Sequence, residues 1–364
     1  AVDAAIAVGY VLAVVYPVAG NIGGGGFMTI RLGDGRTAFL DFRERAPLAA
    51  TKTMYLDAKG EVVKGASTNG YLAVGVPGTV MGLEEARIRF GTKSRQELMA
   101  TAIRLAREGF VLQQGDVASL NSGATKLTKD KEAASIFLKP DGRTFRVGET
   151  LQQSALAESL DSISREGPKA FYKGQIAENI VTASKAMGGI LAKADFERYA
   201  VRDLDPITCS YRGYEIISSP PPSSGGVILC EILNVLEGYP LSELGQSSAQ
   251  TVHVMVEAMR HAYADRNAAL GDPDFVKNPV SALLDKAYAK AIRDSIVPLK
   301  SGKSTDTKPL GLAESHETTH YSIVDKGGNA VAVTYTLNGS FGAGVVAPGT
   351  GILLNNEMDD FTSK

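Results

Sequence analysis

The chain has 364 residues and a formal net charge of −2, with 44% hydrophobic and 21% charged residues. This composition is typical of a globular protein whose core occupies one large domain or two smaller ones. The lack of a basic excess argues against nucleic acid as a main partner. The four histidines and two cysteines lack the spacing of metal ligands, so neither a metal nor a cofactor is predicted.

The chain opens on an apolar stretch at residues 4–18. A signal-peptide core or a short membrane span has a similar composition, but this stretch has no basic flank, follows Asp3 and is short for a span. Pro17 and Gly20 close it, so we predict a buried core helix. Because no initiator Met and no polar lead precede the helix, we expect the chain to be a piece of a longer protein.

Four glycines at 23–26 follow this helix, and a strand is predicted at 27–32. A dinucleotide-binding fingerprint needs the order strand, glycine turn, helix. The order here is reversed, so we reject a nucleotide site and expect the glycines to let helix and strand pack closely. Asp34-Gly35 predicts a hairpin turn into a second strand at 37–42.

The middle of the chain is mainly helical. Apolar residues recur at three- and four-residue spacing in 95–108, 152–165 and 249–268. Residues 211–217 alternate like a strand and run into the Pro-, Ser- and Gly-rich segment 220–226, which suits a turn or a helix start. That segment fits a pocket wall or a rigid connector equally well.

Cys209 and Cys230 are the two cysteines of the sequence. One pair makes neither a disulfide framework nor a zinc site. The two would form a single bridge in an oxidising compartment, but we favour the alternative of two partly buried free thiols.

Residues 296–317 are polar, with little periodicity, and predict an exposed flexible loop. A hairpin follows abruptly, with a strand at 318–324, a turn at 325–329 and a second strand at 330–337. A flexible segment therefore ends at a rigid strand whose first residue is Thr318.

A threonine at such a junction suits one kind of catalysis. Its hydroxyl needs a nearby base, and its own α-amine, with a reference pKa of about 8, can be that base. The amine is free only after the peptide bond before Thr318 is broken. The hydroxyl would first attack the carbonyl of Glu317, and water would then release the new N-terminus. By itself, Thr-Thr at a strand start is also common, because β-branched residues favour strands.

Several longer motifs, in the same order from end to end, resemble the γ-glutamyltransferase family. They are GGGGFM at 23–28, DFRE at 41–44, PPPSSGG at 220–226, YADR at 263–266, GDP at 271–273, TTHYS at 318–322, AVAVTYTLN at 330–338 and GILLNNEMDDF at 351–361.

The resemblance implies an α+β fold, the αββα four-layer sandwich of N-terminal-nucleophile hydrolases. It implies transfer of the γ-glutamyl group of glutathione and other γ-glutamyl amides to water or to amino-acid or peptide acceptors. Residues 1–317 are expected to form a large-subunit portion and 318–364 the start of a small subunit, both from one precursor and together one structural domain. The family also implies a periplasmic or secreted location.

Two threonines carry the implied chemistry. Thr318 is the nucleophile that follows the cleavage site after Glu317, and Thr336 is implied to hydrogen-bond it and to assist processing. A hairpin would bring Thr336 back beside Thr318, although a plain strand residue is the alternative. Since the threonine amine is the base in this family, His320 is expected to be structural.

The resemblance also implies a binding site for a free amino-acid head group. Arg43 would hold the α-carboxylate, because guanidinium offers two parallel donors to a planar acceptor. The alternative is a surface arginine paired with Glu44 or Asp41.

Glu357 and Asp360 would bind the α-ammonium, with Asn338 assisting. Two carboxylates and an amide suit that cation, and the family varies between Glu and Gln at the position of Glu357. Without the resemblance, segment 355–360 would be interpreted as a polar loop.

Several alternatives stay open. One is a related acylase or polyglutamate transpeptidase of the same superfamily, and another is a non-catalytic amino-acid-binding relative. A Ser-His-Asp hydrolase is disfavoured, because no G-x-S-x-G motif occurs. The family's later paired-serine and paired-glycine segments are not among these residues. Because the latter supplies oxyanion donors, we expect these 364 residues alone to be inactive or poorly folded.

Overall fold

The computed structural model describes residues 1–303 and 318–361. These residues fall into two compact units, the first made of residues 1–36, 40–203 and 318–361, and the second of 37–39 and 204–303. None of the described helices combines the length and the apolar character needed to span a bilayer. Most of the predicted flexible loop, with Glu317, lies outside the described residues.

Helices make up most of the first unit. They are α1 Val2–Val15, α2 Thr79–Phe90, α3 Arg95–Glu108, α4 Gln114–Leu127, α5 Lys131–Phe137, α6 Ser154–Glu166, α7 Pro168–Tyr172, α8 Gln175–Ala186 and α9 Lys193–Glu197. The predicted helix at the start of the chain is confirmed as α1, which ends before Pro17. The helices predicted at 95–108 and 152–165 are confirmed as α3 and α6.

One five-stranded sheet positions the candidate site. Its strands are β1 Gly25–Arg31, β2 Thr37–Asp41, β5 Arg202–Leu204, β8 Thr319–Val324 and β9 Ala330–Thr336, in the order β5-β2-β1-β9-β8. β9 pairs antiparallel with both β1 and β8, so the hairpin predicted at the end of the chain is confirmed. A separate two-stranded ribbon joins β3 Phe110–Val111 to β4 Thr150–Leu151.

The two faces of this sheet differ because successive side chains point to opposite sides of a strand. On one face Met28, Ile30 and Val333 are buried. Helix α1 covers this face, where Tyr321 donates to the carbonyl of Ala5 at 2.8 Å and Tyr335 donates to the carbonyl of Gly9 at 2.9 Å. The opposite face of β8 and β9 carries polar side chains and is less buried.

The glycine run is required by close packing, but against a different partner from the one predicted. A Cβ on Gly24 would lie 2.0 Å from the carbonyl oxygen of Thr336, and one on Gly26 would lie 2.2 Å from that of Thr334. Gly23 would meet the carbonyl oxygen of Leu353 at 2.1 Å. The glycines therefore admit β9 and the segment around Leu353, and not helix α1.

The second unit combines a hairpin with five helices among the described residues. These elements are β6 Ile207–Tyr211, β7 Tyr214–Ser218, α10 Gly225–Leu236, α11 Leu241–Leu244, α12 Ala249–Ala269, α13 Val280–Leu283 and α14 Lys286–Ser295. The helix predicted at 249–268 is confirmed as α12. The strand predicted at 211–217 is confirmed at 214–217, which belong to β7, but its start is wrong, since a turn at Arg212 and Gly213, both with positive φ, separates β7 from β6.

The favoured interpretation of free thiols is also wrong. Cys209 on β6 and Cys230 on α10 form a disulfide, with their Cα atoms 6.0 Å apart. This separation is within the range that a disulfide spans without backbone movement. The sequence pattern gave no sign that β6 packs directly on α10, which is what brings the two sulfurs together.

Candidate active site

Strand pairing brings the two predicted threonines together. Thr319 is opposite Tyr335 in the last pair between β8 and β9, and Thr318 and Thr336 are the residues next to that pair. Because opposed positions in an antiparallel pair have Cβ atoms about 4.5–5.5 Å apart, a continued register would bring the two threonine side chains side by side. Thr318 is exposed and precedes β8, and Thr336 is the last residue of β9.

Further polar side chains lie along the hairpin beyond these threonines. His320, two residues after Thr318, is opposite Thr334, and its Nδ1 lies 2.7 Å from Thr334 Oγ1. Its Nε2 lies 3.1 Å from Ser322 Oγ. Both imidazole nitrogens thus have hydroxyl partners within the hairpin, which agrees with a structural role for His320.

Arg43 lies over the same face of the sheet. Its guanidinium carbon is 5.8 Å from the ring centre of Phe27, and Phe27 is opposite Thr334 in the pairing of β1 with β9. The Arg43 backbone amide donates to Asp41 Oδ1 at 2.9 Å, and its carbonyl accepts from the hydroxyl of Tyr199 at 2.9 Å. These two hydrogen bonds fix the backbone of Arg43 in the turn after β2.

The Arg43 side chain joins the two predicted carboxylates. Its Nη2 donates to Glu357 Oε1 and to Asp360 Oδ2. The alternative of a surface arginine whose side chain pairs with Glu44 or Asp41 does not hold, since Asp41 pairs with Arg202 at 3.2 Å. Arg43, Glu357 and Asp360, which we call the carboxylate clamp, therefore assemble residues more than 300 positions apart in sequence.

Two buried asparagines hold the loop that carries this clamp. Asn355 donates from Nδ2 to the carbonyls of Gly23 at 2.9 Å and Gly75 at 2.8 Å, and its Oδ1 accepts the backbone amide of Glu357 at 3.0 Å. Asn356 Oδ1 accepts the backbone amide of Gly339 at 2.9 Å. The sequence predicted only a polar loop at these two residues. Both side chains are instead buried among backbone groups, which shows that they position the loop.

Asn338 holds the same loop from the end of β9. Its side-chain amide donates to the carbonyl of Asn356 at 3.0 Å, and its backbone amide donates to Thr336 Oγ1 at 3.0 Å. Its φ of 73° lies in the left-handed region, which is uncommon outside glycine and is tolerated best by Asn and Asp. One residue thus links the Thr336 hydroxyl to the segment that bears Glu357.

The charges of the clamp perturb one another. Burial alone would lower the pKa of Arg43, but the adjacent Glu357 and Asp360 carboxylates raise it above its usual value, so the guanidinium stays charged. Burial raises the pKa of Glu357 to about 7, with Arg43 acting in the opposite direction and Asp360 adding to the rise. Glu357 is therefore the member of the clamp whose charge changes near neutral pH.

Glu44 is a site residue that the sequence suggested only as a possible partner of Arg43. Both its carboxylate oxygens are buried and have no hydrogen-bond partner among the described residues. Burial, followed by the charge of Glu357, raises its pKa well above the usual value. A Cβ on Gly25 would lie 2.5 Å from Glu44 Oε2, and Gly25 is opposite Thr336. A buried carboxyl with a raised pKa therefore lies next to the threonine end of the site.

The site combines a hydroxyl pair with a clamp of mixed charge. Such a clamp suits a zwitterionic head group, because guanidinium binds carboxylate and carboxylates bind ammonium. Within residues 1–303 and 318–361, no cluster of three or more His, Cys, Asp or Glu residues is arranged to hold a metal ion.

Comparison with known proteins places the chain in a family. The family model described as Gamma-glutamyltranspeptidase matches residues 1–364. The chain is 61% identical over 365 residues to a glutathione hydrolase proenzyme of Pseudomonas sp. (strain A14), and the match covers 100% of this chain and 64% of the relative. It is 42% identical over 367 residues to the acylase ACY 1 proenzyme of Pseudomonas sp. (strain V22), covering 99% of this chain and 65% of the relative.

A solved structure gives the same result. The chain matches the crystal structure of Helicobacter pylori gamma-glutamyltranspeptidase with a TM-score of 0.83 and 46% identity, over 87% of this chain and 91% of that one. The chain belongs to the gamma-glutamyltranspeptidase family. The predicted α+β class and the N-terminal-nucleophile hydrolase fold are confirmed by this likeness. The chain spans 64% of the length of its 61%-identical relative.

Proposed function

We propose that the protein to which this chain belongs transfers and hydrolyses γ-glutamyl groups of glutathione and related amides. The observation that supports this most directly is the clamp of Arg43, Glu357 and Asp360 on the sheet face that carries Thr318 and Thr336. When the zwitterionic head group of the substrate binds in the clamp, the side-chain amide of the substrate would reach toward the Thr318 hydroxyl.

Activation begins with self-cleavage. The Thr318 hydroxyl attacks the carbonyl carbon of Glu317, the peptide C–N bond breaks, and the acyl group moves from nitrogen to oxygen as an ester. Water hydrolyses the ester, which frees the Glu317 carboxylate, the Thr318 hydroxyl and a new α-amine. Thr336 would assist from its position beside Tyr335, the residue opposite Thr319.

Catalysis then uses the new amine as the base. The amine takes the proton of the Thr318 hydroxyl, whose oxygen attacks the γ-carbonyl carbon and forms a γ-glutamyl-threonine ester. The leaving amine carries the transferred proton away. Water or the amino group of an amino-acid or peptide acceptor then attacks the ester and regenerates Thr318.

The clamp would recognise both charges of the substrate. The two contacts of Arg43 to carboxylates run through Nη2, and guanidinium carries further donors at Nε and Nη1 that suit the substrate α-carboxylate. Glu357 and Asp360 would accept the α-ammonium. Asn338 would contribute chiefly by holding the loop of Glu357.

Cleavage before Thr318 would give a large-subunit portion, residues 1–317, and the start of a small subunit, residues 318–364, derived from one precursor. A periplasmic or secreted location is supported by the disulfide between Cys209 and Cys230, because disulfides persist in oxidising compartments.

A second candidate is acylase activity, which is favoured by the 42% identity to an acylase proenzyme. The intact clamp argues for a substrate with a free α-amino acid head group. Both activities would use the same nucleophile, so the substrate decides between them.

The experiment compares the natural full-length protein with its Thr318→Ala and Thr318→Ser variants. We expect wild type to release glutamate from glutathione faster than it deacylates a β-lactam side chain. The Ala variant should be inactive and the Ser variant partly active, because only serine keeps a hydroxyl. Glutathione hydrolysis by Thr318→Ala at the wild-type rate would refute the assignment.

A further inference from the structure

A short segment that follows α9 holds the backbone of Arg43 at both its carbonyl and its amide. Tyr199, 156 positions from Arg43 in sequence, donates its hydroxyl to the Arg43 carbonyl at 2.9 Å. Arg202 pairs with Asp41 Oδ2 at 3.2 Å, and Asp41 Oδ1 accepts the backbone amide of Arg43 at 2.9 Å. Residues 199–202 therefore hold both backbone groups of Arg43, one directly and the other through Asp41.

This segment is itself fixed within the first unit. Asp195 on α9 is 5% exposed, and its Oδ1 accepts the backbone amide of Leu48 at 2.8 Å. Its Oδ2 accepts the backbone amide of Ala192 at 2.7 Å, just before α9 begins. The ring of Tyr199 stacks on that of Tyr172, with the centroids 5.5 Å apart and the planes at 13°. A ring held in this way gives its hydroxyl a defined position.

The packing around the Tyr199 hydroxyl is tight. A Cβ on Gly78 would lie 2.0 Å from both the Tyr199 oxygen and the carbonyl oxygen of Phe42, so only glycine fits beside them. Burial raises the pKa of Tyr199 well above its usual value, so the phenol keeps its proton and stays a donor. The bond to Arg43 therefore persists at any physiological pH.

We propose that Tyr199 is a positioning residue of the carboxylate clamp, and that its hydroxyl determines how well Arg43 binds the carboxylate of an amino-acid head group. The inference rests on the function proposed above. The Arg43 guanidinium must contact Glu357 and Asp360 and still present donors to the substrate. If the Arg43 backbone loses its fixed position, the guanidinium is displaced, and small misplacements of a binding group are costly.

Steady-state kinetics of the natural full-length protein test the role of the hydroxyl. Tyr199→Phe keeps the stacked ring and removes only the hydrogen bond to Arg43. We expect KM for glutathione to rise about three- to tenfold, the factor that corresponds to one hydrogen bond of ordinary strength. Because the change affects binding and not the reacting atoms, kcat should stay within about twofold. Complete self-cleavage before Thr318 would show that the variant folds.

Tyr172→Phe is the matched control. The Tyr172 hydroxyl is also buried, but it donates to the carbonyl of Pro77 at 2.9 Å and accepts the backbone amide of Met81 at 3.3 Å. Neither partner belongs to the clamp. Both variants should lower Tm, but only Tyr199→Phe should raise KM. A wild-type KM in Tyr199→Phe, or an equal rise in both variants, would overturn the proposal.

A double-mutant cycle separates positioning of Arg43 from a general structural role. In the Arg43→Ala background there is no guanidinium to position, so adding Tyr199→Phe should leave KM within about twofold of its value in Arg43→Ala alone. A further rise as large as the one in the wild-type background would show that the hydroxyl acts independently of Arg43, and it would refute the positioning role.

Calorimetric binding of L-glutamate distinguishes failure of this inference from failure of the proposed function, because glutamate has the head group but no γ-amide. Its Kd should rise in Tyr199→Phe by the same factor as KM and stay unchanged in Tyr172→Phe. If wild type bound glutamate without hydrolysing glutathione, only the proposed function would be refuted, and the two Kd values would still decide the role of Tyr199. Wild-type affinity for glutamate in Tyr199→Phe would refute the positioning role alone.

Discussion

The carboxylate clamp and the contacts of Glu84, both in the first unit, combine carboxylates with guanidinium groups in opposite proportions. In the clamp, one guanidinium lies between two carboxylates and stays charged at any physiological pH. At Glu84, one carboxylate accepts from two guanidiniums, with Arg87 Nε and Arg95 Nε both at 3.0 Å. Burial raises the pKa of both Glu84 and Glu357, but two cations reverse this effect at Glu84, whose pKa is lowered. One cation shared by two carboxylates leaves the pKa of Glu357 raised to about 7, so the clamp is the arrangement that responds to pH.

Removing the one shared cation of the clamp should have the largest effect. In Arg43→Ala, Glu357 and Asp360 would face each other without a guanidinium, and the substrate carboxylate would lose its partner. Since hydrogen bonds to charged groups contribute about 1.5–3 kcal/mol each, we expect KM for glutathione to rise roughly 10- to 100-fold. Self-cleavage should persist, as judged by fragment masses.

Arg36→Ala is the control, because Arg36 is an exposed arginine paired locally with Asp34. It should leave KM unchanged. An unaltered KM in Arg43→Ala would remove Arg43 from the binding site.

Changing the titrating member of the clamp should sharpen the comparison. Glu357 must be ionised to attract the ammonium, and its pKa of about 7 means that this charge is lost as pH falls. The wild-type kcat/KM should therefore fall below neutral pH. Glu357→Gln should keep activity within about tenfold, and its KM should no longer change as pH falls. The dependence of kcat on deprotonation of the Thr318 amine should remain.

Asp359→Asn serves as the matched control, since Asp359 is exposed and its carboxylate accepts from Ser67 at 2.5 Å, whereas Arg43 donates to Glu357 and Asp360. Its pH profile should equal that of wild type. If KM of Glu357→Gln still changed with pH as in wild type, the titrating group would be a residue other than Glu357.

The smallest expected effect concerns the space left for Glu44. Gly25→Ala would place a methyl group 2.5 Å from both Glu44 Oε2 and the carbonyl oxygen of Phe42. Because backbone cannot move aside cheaply, we expect a loss of about 1–3 kcal/mol in the free energy of unfolding, measured by denaturant titration. Gly115→Ala in α4 should be neutral or slightly stabilising, because the added Cβ would meet no atom within 4 Å beyond its own helix backbone. Equal stabilities of the two variants would contradict the packing described.

The local patterns in the sequence were sufficient to predict much of the fold. The periodicity of α3 and α12 and the alternation of β8 and β9 define those elements, because each buries one face. The start of the strand predicted at 211–217 was wrong because Arg212 adopts the left-handed conformation without being glycine, so only half of the turn signal was present.

Long-range contacts were beyond the reach of such patterns. Asn355 and Asn356 were interpreted as loop residues because nothing local shows that their amides bind backbone near Gly23, Gly75 and Gly339. The disulfide was missed for the same reason. The roles of Thr318 and Arg43 came from the family resemblance, and they remain proposals that the geometry supports.

The most direct test of the central claim is the intact mass of the natural full-length protein under denaturing conditions, with N-terminal sequencing of each fragment. We predict two polypeptides, one of which begins Thr318-Thr319-His320, and a single uncut chain in the Thr318→Ala variant. A wild-type protein that stays in one piece while it hydrolyses glutathione would contradict the assignment of Thr318 as an N-terminal nucleophile.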